Sequence, residues 1–457
     1  MLTFQLLRAR IAQSDIAKFD HVLADLDDVP TLVSPALEAQ AKVLGVPPEE
    51  LLGTDSSQDY LPPYENVRGE ILTDGEEMVA VIIRTDRDNR IMVTDDGEHV
   101  VEEATQATLF CAVLSPSVDS LLLERVRDAV RETFGVELEV SAGTSRRFDE
   151  LMDEGRVTVD KPTDAEVSAA EVLADPVSRK LAIAVKAGGG LLKKDLQSQV
   201  VHADQGRVEA ATRALLDAGL LEADVVVVCG KSGGQVNRLP SPDLLQGLAD
   251  SGLKCSCGRR IDEEKCEDAV SISQLGRDML DGSRWMTVQL VVELERCGLP
   301  ANRVLVDQQK GGDEMDCIAD VYGSVLLLEL KDKEFSLGNA YSFGAKMGII
   351  RPDVPVIVTT EHVGGDAKTH FEERARSARR PRVARYREVE TEPEVRYIEG
   401  MDELRGRLDE IVTELAQARS QKILGDTLAL GSVSPAAVLR VVAERTRGTG
   451  AGSEPAT

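Results

Sequence analysis

The sequence DEMDCIADVYGSVLLLELK runs from Asp313 to Lys331 and predicts two short strands joined by a tight turn at residues 322–324. Glycine and serine favour such a turn. Side chains alternate across a strand, so Glu329 and Lys331 share one face of the second strand. A hairpin would bring Asp316 beside them, next to an apolar run. Buried carboxylates are costly unless they are paired or bind a metal ion. The stretch therefore predicts a charged site at a buried hairpin.

The elements predicted on either side of this hairpin follow a defined order, α-β-β-β-α-β. An amphipathic helix and a short strand precede the hairpin, and a helix and an apolar strand follow it. In chain order these flanking elements are Ser283–Gly298, Val304–Val306, Asn339–Gly348 and Val354–Thr359. The hairpin thus lies inside an alternating α/β frame.

Asp316, followed by Glu329-x-Lys331 after an apolar strand, resembles the core of the PD-(D/E)xK superfamily, the restriction-endonuclease-like nucleases. The resemblance covers residues 283–400 and implies the αβββαβ core of that family. It also implies that Asp316, Glu329 and the carbonyl of Leu330 bind Mg²⁺ or Mn²⁺. Lys331 would orient or activate a water that attacks a phosphodiester. Hard oxygen ligands suit Mg²⁺, which stabilises charge developing on phosphate.

Two aspartates compete for the role of first carboxylate. Asp320 also precedes Glu329 but lies at the turn, where aspartate is common for conformational reasons. Asp316 lies deeper in the strand, with Glu314 two residues before it, and is the predicted ligand. This Glu-x-Asp pairing is similar to that of many family members. Glu314 is either an outer metal ligand or a solvated acid.

A basic cluster follows the last predicted core strand. We expect it to border the site and hold phosphates, although a solvated face balancing nearby glutamates is the alternative. Lys346, on the helix after the hairpin, is a further candidate for contacting phosphate. Together with Lys346, the candidate nucleic-acid-binding residues are Arg374, Arg379, Arg380 and Arg382.

Four cysteines form a second candidate site. Cys255 and Cys257 precede a glycine, as in half of a zinc knuckle, with Cys266 nearby and Cys229 farther upstream. Four thiolates would close a tetrahedral structural Zn²⁺ site. The spacing differs from the common paired CxxC pattern, so unligated reduced thiols remain the alternative interpretation.

Residues 176–245 predict three helices followed by a β-hairpin, which resembles a winged helix-turn-helix. Such domains read DNA with the third helix. Here that helix carries Arg207 and Arg213 but also Glu209 and Asp217, so binding to DNA and binding to protein both remain open. The predicted helices are Pro176–Lys186, a short one near Leu191, and Gln205–Ala218; the predicted strands are Leu220–Cys229 and Gly234–Leu239.

The rest of the chain predicts accessory parts. Residues 1–150 form an α+β domain of unknown role, helical over residues 1–58, with acids at Asp95-Asp96 interpreted as a turn. Residues 246–282 are a cysteine-bearing connector, 401–447 are C-terminal helices, and 448–457 are a disordered tail. The further elements of the first domain are strands at Val67–Leu72, Met78–Arg84, Arg90–Thr94 and Val136–Val140, and a helix at Val118–Phe134.

The chain is strongly acidic. It has 457 residues, 53 of them basic and 80 acidic, and a formal net charge of -27. This is the wrong overall sign for tight stand-alone binding to a phosphate backbone, so a protein partner or a second copy is expected to assist. No apolar run approaches the ~18 residues of a membrane span, so no membrane partner is expected. The seven cysteines and the lack of a signal-peptide pattern predict a cytoplasmic protein.

These patterns predict a multidomain α/β and α+β protein that hydrolyses phosphodiester bonds as a metal-dependent endonuclease or exonuclease, with DNA the favoured substrate. Defence against foreign nucleic acid, or repair, follows by analogy only. The alternative is a winged-helix binding or regulatory protein that keeps the nuclease fold without turnover. The net charge favours the alternative, and the intact Asp/Glu/Lys set disfavours it.

Overall fold

The computed structural model shows a mixed α/β protein with several sheets, divided into two compact units. One unit comprises Met1–Leu151, Asp320–Val325 and Gly406–Thr457, and the other comprises Met152–Ala319 and Leu326–Arg405. None of the described helices is long and apolar enough to cross a membrane. The structure describes residues 3–33, 64–86, 91–93, 99–101, 106–117, 119–141, 145–154, 161–200, 202–378 and 392–427. The predictions for Asp95-Asp96, residues 434–443 and the tail from Gly448 lie outside these ranges.

The first unit is built on an antiparallel five-stranded sheet with the order β2-β3-β6-β1-β7. A separate ribbon pairs β4 with β5. The elements, in chain order, are β1 (Thr3–Ala12), α1 (Phe19–Ala24), β2 (Tyr64–Asp74), β3 (Glu77–Asp86), β4 (Ile91–Val93), β5 (His99–Val101), β6 (Gln106–Ser115), α2 (Leu121–Phe134), β7 (Glu139–Val140) and α3 (Arg146–Glu154).

The prediction of a helix at the start of the chain is wrong, because residues 3–12 form the strand β1. Leu7 and Ile11 are buried while Arg8 and Arg10 are exposed, which is the alternation of a strand with one buried face. Pairing with β6 along its whole length fixes this register. Over so short a window, the same apolar residues also satisfy helical spacing. The partner strand β6 is absent from the sequence prediction.

Both faces of this sheet are covered. Helices α1 and α2 pack on one face around Leu7, Val81 and Val126. On the other face, Phe4 and Ile82 cluster with Ala416 of the C-terminal helix Leu404–Thr427. Helix α2 begins at a serine N-cap, Ser120, which accepts a hydrogen bond from the Leu123 N–H, and ends at left-handed Gly135.

The second unit begins with the predicted winged-helix region. The first and third predicted helices and the hairpin are confirmed, whereas the helix predicted near Leu191 begins only at Leu196, because Leu191 and Leu192 form a strand that pairs with Val270 and Ala269. The sheet has four strands in the order β10-β9-β11-β8. The stretch predicted to be a connector therefore supplies a central strand, β11. The elements are α4 (Asp164–Ala174), α5 (Pro176–Gly188), β8 (Leu191–Leu192), α6 (Leu196–Gln199), α7 (Gln205–Asp217), β9 (Leu221–Val228), β10 (Gln235–Leu239), α8 (Leu244–Asp250), β11 (Lys265–Ile272) and α9 (Gln274–Leu280).

A second five-stranded sheet follows, with the order β12-β13-β14-β15-β16. Strands β14, β15 and β16 are mutually parallel, and β12 is antiparallel to β13. The predicted order of elements around the hairpin is confirmed, with a further helix and strand after it. The elements are α10 (Arg284–Arg296), β12 (Val304–Lys310), β13 (Asp313–Val321), β14 (Ser324–Lys331), α11 (Leu337–Ile350), β15 (Val354–Thr359), α12 (Gly365–Ala378) and β16 (Arg396–Glu399).

Helix α9 approaches β9 so closely that its glycine leaves no room for a side chain. A Cβ on Gly276 would lie 2.3 Å from the Leu220 carbonyl oxygen and 2.6 Å from the Ile272 side chain. We expect Gly276→Ala to lower the free energy of unfolding by about 1–3 kcal/mol through overpacking, measured by chemical denaturation. Gly247→Ala on α8 is the matched control, because nothing lies within 4 Å of its Cβ position. It should stabilise by about 0.4–1 kcal/mol, and equal destabilisation by both changes would contradict the steric explanation.

Candidate active site

The hairpin of β13 and β14 positions the three predicted catalytic side chains. Its turn has two residues of positive φ, Tyr322 at 55° and Gly323 at 88°, as in the twisted turns that connect hairpin strands. Counting outward from this turn brings Asp316 level with Glu329. The Leu330 N–H donates a hydrogen bond of 2.7 Å to Asp316 Oδ2. The first carboxylate is thereby attached to the strand that carries Glu329 and Lys331.

Glu329 lies at the centre of the charged cluster and is only 2% exposed. Its two oxygens each face an ammonium group: Lys331 Nζ lies 3.2 Å from Oε1, and Lys346 Nζ lies 2.6 Å from Oε2. Burial and then the charge of Asp316 raise the pKa of Glu329, while the two lysines oppose that rise. The carboxylate is therefore held in place by the groups that balance its charge.

Lys346 belongs to this cluster, whereas the sequence pointed to a phosphate contact. It lies on the buried side of α11 together with Phe343 and is 6% exposed. Its Nζ is also 3.7 Å from Asp316 Oδ1. Burial acts to lower the pKa of Lys346, but its hydrogen bond to Glu329 and the nearby carboxylates raise it on balance. Lys346 is thus a charged lysine that bridges both carboxylates.

A third carboxylate, that of Asp307, is missed by the sequence analysis. The β12–β13 register continues on both sides of it, which places Asp307 across from Asp316. Its φ of 51° is left-handed, uncommon for a residue with a side chain. Desolvation and then the charges of Glu314 and Asp316 raise the pKa of Asp307. The polar run that begins at Asp307, after three apolar residues of β12, was the available signal.

Asp332, directly after Lys331, anchors the end of β14. The Arg179 guanidinium lies 3.0 Å from Asp332 Oδ1 and stacks 5.0 Å from the centroid of the Trp285 ring. The Trp285 Nε1–H donates to Asp332 Oδ2 at 3.3 Å. Arg179 also donates to the Leu173 carbonyl at 2.8 Å. This network joins α5 of the winged-helix region to the residue that follows Lys331.

The other predicted acids lie away from the centre of the cluster. Asp320 accepts hydrogen bonds from the Gly323 N–H at 2.8 Å and the Ser145 N–H at 3.0 Å, which fits the turn role predicted for it. Glu314 is exposed on β13, and its charge acts on Asp307. Its position fits either an outer ligand or a solvated acid.

The predicted basic surface is described only in part. Arg374, on α12, pairs with Glu392 through hydrogen bonds of 2.7 and 2.8 Å from its Nε. It is therefore engaged in an ion pair within the second unit. Arg379, Arg380 and Arg382 lie outside the described residues. The expectation that they contact phosphate stays a prediction.

The cysteine cluster has a different membership from the one predicted. Cys229, Cys255 and Cys257 come together with Glu264, and their ligand atoms all lie within 4.8 Å of one another. Cys266 is exposed on β11 and is not part of this group. Glu264, the residue directly before β11, supplies the fourth ligand atom of the group in place of Cys266.

The donor atoms around Glu329 are oxygens, the type that a hard divalent cation prefers, but among the described residues only the cysteine cluster brings three or more ligand atoms within 4.8 Å of one another. Asp316, Glu329 and Asp307 contribute carboxylates, and the Leu330 carbonyl belongs to the same strand segment. Mg²⁺ and Mn²⁺ favour such all-oxygen sets, usually with several waters retained. In this structure Lys331 and Lys346 balance the buried charge of Glu329 beside Asp316, so a bound cation would share that role with the two lysines.

Comparison with known proteins supplies no evidence on the function of this site. No family model and no curated protein matches the chain. Among solved structures, the crystal structure of protein VC1899 from Vibrio cholerae is similar over 60% of this chain and 58% of that chain. The sequence identity is 12% and the TM-score is 0.31, which is too low to support an argument about fold or function.

Proposed function

We propose that this protein is a metal-dependent nuclease with a restriction-endonuclease-like core at residues 283–400. The observation that carries the proposal is the buried Glu329 between two lysines, beside Asp316, within the α-β-β-β-α-β order of elements predicted around the hairpin. Charged side chains are rarely buried unless they are paired or have a function. Clusters of residues that shift one another's pKa values are typical of catalytic sites. The proposal does not depend on the structural comparison.

Each residue of the cluster has a role in phosphodiester hydrolysis. Asp316 and Glu329, with the Leu330 carbonyl, would hold Mg²⁺ or Mn²⁺, which supplies Lewis acidity toward the scissile phosphate when bound. Lys331 is the one of the two lysines that is partly exposed, with 27% of its side chain accessible, so it can orient the attacking water. Lys346 is buried and fixes the carboxylates. Lys331 therefore positions the water, and Lys346 positions the carboxylate ligands.

The acidic composition limits how the substrate reaches this site. With a net charge of -27, the chain as a whole repels a polyanion. We propose that DNA is the favoured substrate and that a partner protein or a second copy of the chain presents it. The winged-helix region is the candidate for that contact, although Arg207 on α7 is already paired with Asp175 at 3.2 Å.

The full-length protein, incubated with supercoiled plasmid, single-stranded DNA or RNA, tests the proposal. We expect cleavage that requires Mg²⁺ or Mn²⁺ and stops when the metal is chelated, read by gel electrophoresis. Asp316→Asn is the matched control because it keeps the side-chain shape and removes one negative charge. The cleavage rate of this variant should be roughly 10²-fold or more below that of the wild type, as for loss of a group that stabilises the transition state.

The opposite outcome has a defined meaning. If the wild type cuts none of the three substrates better than Asp316→Asn, with and without proteins that co-purify with it, the nuclease proposal fails. Binding of nucleic acid without cleavage would then favour the non-catalytic winged-helix alternative. Retention of folded structure in both proteins, measured by circular dichroism, excludes misfolding as the cause.

A further inference from the structure

Three thiols and one carboxylate meet at the end of the hairpin of β9 and β10. They precede in the chain, and are separate from, the charged cluster around Glu329. Cys229 follows β9, Cys255 and Cys257 lie in one loop, and Glu264 precedes β11. The four ligand atoms lie within 4.8 Å of one another. A tetrahedral Zn²⁺ site with Zn–S distances near 2.3 Å has edges of roughly 3.8 Å, so this group needs only a small contraction.

The local backbone presents these side chains as two facing tight turns. In the first, the Gly233 N–H donates to the Cys229 carbonyl at 2.8 Å, and the Ser232 N–H points at Cys229 Sγ at 3.4 Å. In the second, the Gly258 N–H donates to the Cys255 carbonyl at 2.8 Å, with a φ of 92° that suits glycine. These backbone hydrogen bonds fix the loops that carry the two cysteines, and the Ser232 N–H contributes directly to the position of the Cys229 sulfur.

The carboxylate is built into the same site. Glu264 is 6% exposed and accepts a hydrogen bond from the Gly230 N–H at 2.6 Å, while Cys257 Sγ donates to its other oxygen at 3.0 Å. The Arg259 guanidinium lies beside it: a Cβ on Gly230 would be 3.3 Å from both Arg259 and Glu264. When the thiols lose their protons on binding a cation, this positive side chain offsets part of the negative charge of the ligand set. Hydrogen bonds within the cluster and the charge of the neighbouring Arg259 side chain therefore both orient the ligand atoms.

A small apolar cluster packs beneath these loops. It contains four buried residues. A structural metal ion would add a cross-link between these loops to the apolar contacts beneath them. The four residues are Val227, Leu239, Ala249 and Ile261.

We propose that Cys229, Cys255, Cys257 and Glu264 bind one structural Zn²⁺. The set is closed, with four protein ligands and no open position for water, which distinguishes a structural site from a catalytic one. Three soft thiolates select zinc over the hard cations suited to the charged cluster around Glu329. The ion ties the hairpin of β9 and β10 to the loop before β11. The zinc site does not depend on the proposed nuclease chemistry, so either proposal can fail without the other.

Metal analysis of the full-length protein, purified under reducing conditions without chelators, tests this site. We expect roughly one zinc per chain. Cys257→Ser and Glu264→Gln should lose at least about tenfold in zinc affinity, since even residues behind the ligands contribute about 10–100-fold. Cys266→Ser is the matched control and should retain wild-type zinc content. A thiolate-to-Co²⁺ charge-transfer absorption in the cobalt-substituted wild type reports the ligands without any variant that fails to fold.

Three results would overturn the proposal. Zinc content far below one atom per chain after reconstitution is the first. The second is equal loss of zinc in Cys266→Ser and Cys257→Ser, which would restore the set predicted from the sequence. The third is a disulfide between any two of the three thiols in the freshly isolated protein, detected by mass spectrometry, because the thiolates would then not be free to bind metal.

Discussion

Replacing Lys331 with alanine is expected to lower the rate of phosphodiester hydrolysis by about 10²–10⁴-fold, the contribution typical of a positioned acid–base group. The ammonium group lies 3.2 Å from Glu329 and is the more accessible lysine of the cluster, so its loss removes the group to which the proposed mechanism assigns orientation of the attacking water. Stability should change little, because more than a quarter of this side chain already contacts solvent. Single-turnover kinetics at saturating metal concentration would measure the effect.

Lys333→Ala is the matched control for that experiment. Lys333 follows two residues later, is exposed, and contributes only its backbone carbonyl to a hydrogen bond with the Thr359 hydroxyl. Its variant should cleave at the wild-type rate. Equal losses in the two variants would indicate a general electrostatic effect on substrate binding and would remove Lys331 from the proposed mechanism.

Replacing Lys346 with methionine is expected to lower the free energy of unfolding by roughly 3–5 kcal/mol at pH 7, because removing one partner of a buried ion pair leaves the other charge uncompensated. The change leaves Glu329, 2% exposed, with only Lys331 and with Asp316 nearby. Methionine keeps most of the apolar volume of the lysine stem, so the loss reports charge rather than a cavity. Chemical denaturation would measure it.

The pH dependence of that loss identifies its cause. Without Lys346, the pKa of Glu329 rises further above its ordinary value, so the folded variant binds a proton that the unfolded chain has released. Stability of the variant therefore falls as pH rises above about 4.3, the ordinary pKa of glutamate, and the deficit should be smaller at pH 5 than at pH 7. Lys346 itself stays charged across this range, because its pKa is raised. A deficit independent of pH would contradict the assignment.

Lys368→Met provides the comparison for a lysine on the neighbouring helix. Lys368 pairs with Glu399 at 3.0 Å, but 36% of its side chain and 34% of that of Glu399 are exposed. Water screens such a pair, and its loss should cost less than about 1 kcal/mol. If Lys368→Met lowered the free energy of unfolding as much as Lys346→Met does, burial would not be the reason for the large effect at Lys346.

The sequence predicts the hairpin and its flanking elements well because both depend on local signals. The run Val325–Leu328 is entirely apolar and buried, as expected for a central strand covered on both faces. The turn contains Gly323, and Glu329 and Lys331 follow the alternation of a strand. These signals need no knowledge of the rest of the fold.

The parts that the sequence does not predict depend on long-range pairing. Helical and strand spacing cannot be separated over residues 3–12 until β6 is known to be the partner. Strand β11 begins with charged residues that hide its pairing with β9. Asp307 and Lys346 join the cluster only through the β12–β13 register and the packing of α11, and neither can be obtained from the spacing of a motif.

The network around Asp332 has a consequence for any attempt to isolate the nuclease core. A fragment beginning at residue 284 would lack Arg179, which is 8% exposed, pairs with Asp332 and covers the Trp285 ring. Excision would therefore uncover the only tryptophan of the chain and leave an acid without its cation one residue after Lys331. Loss of the proposed activity in such a fragment would therefore reflect a damaged scaffold, and a fragment used to test it has to include Arg179.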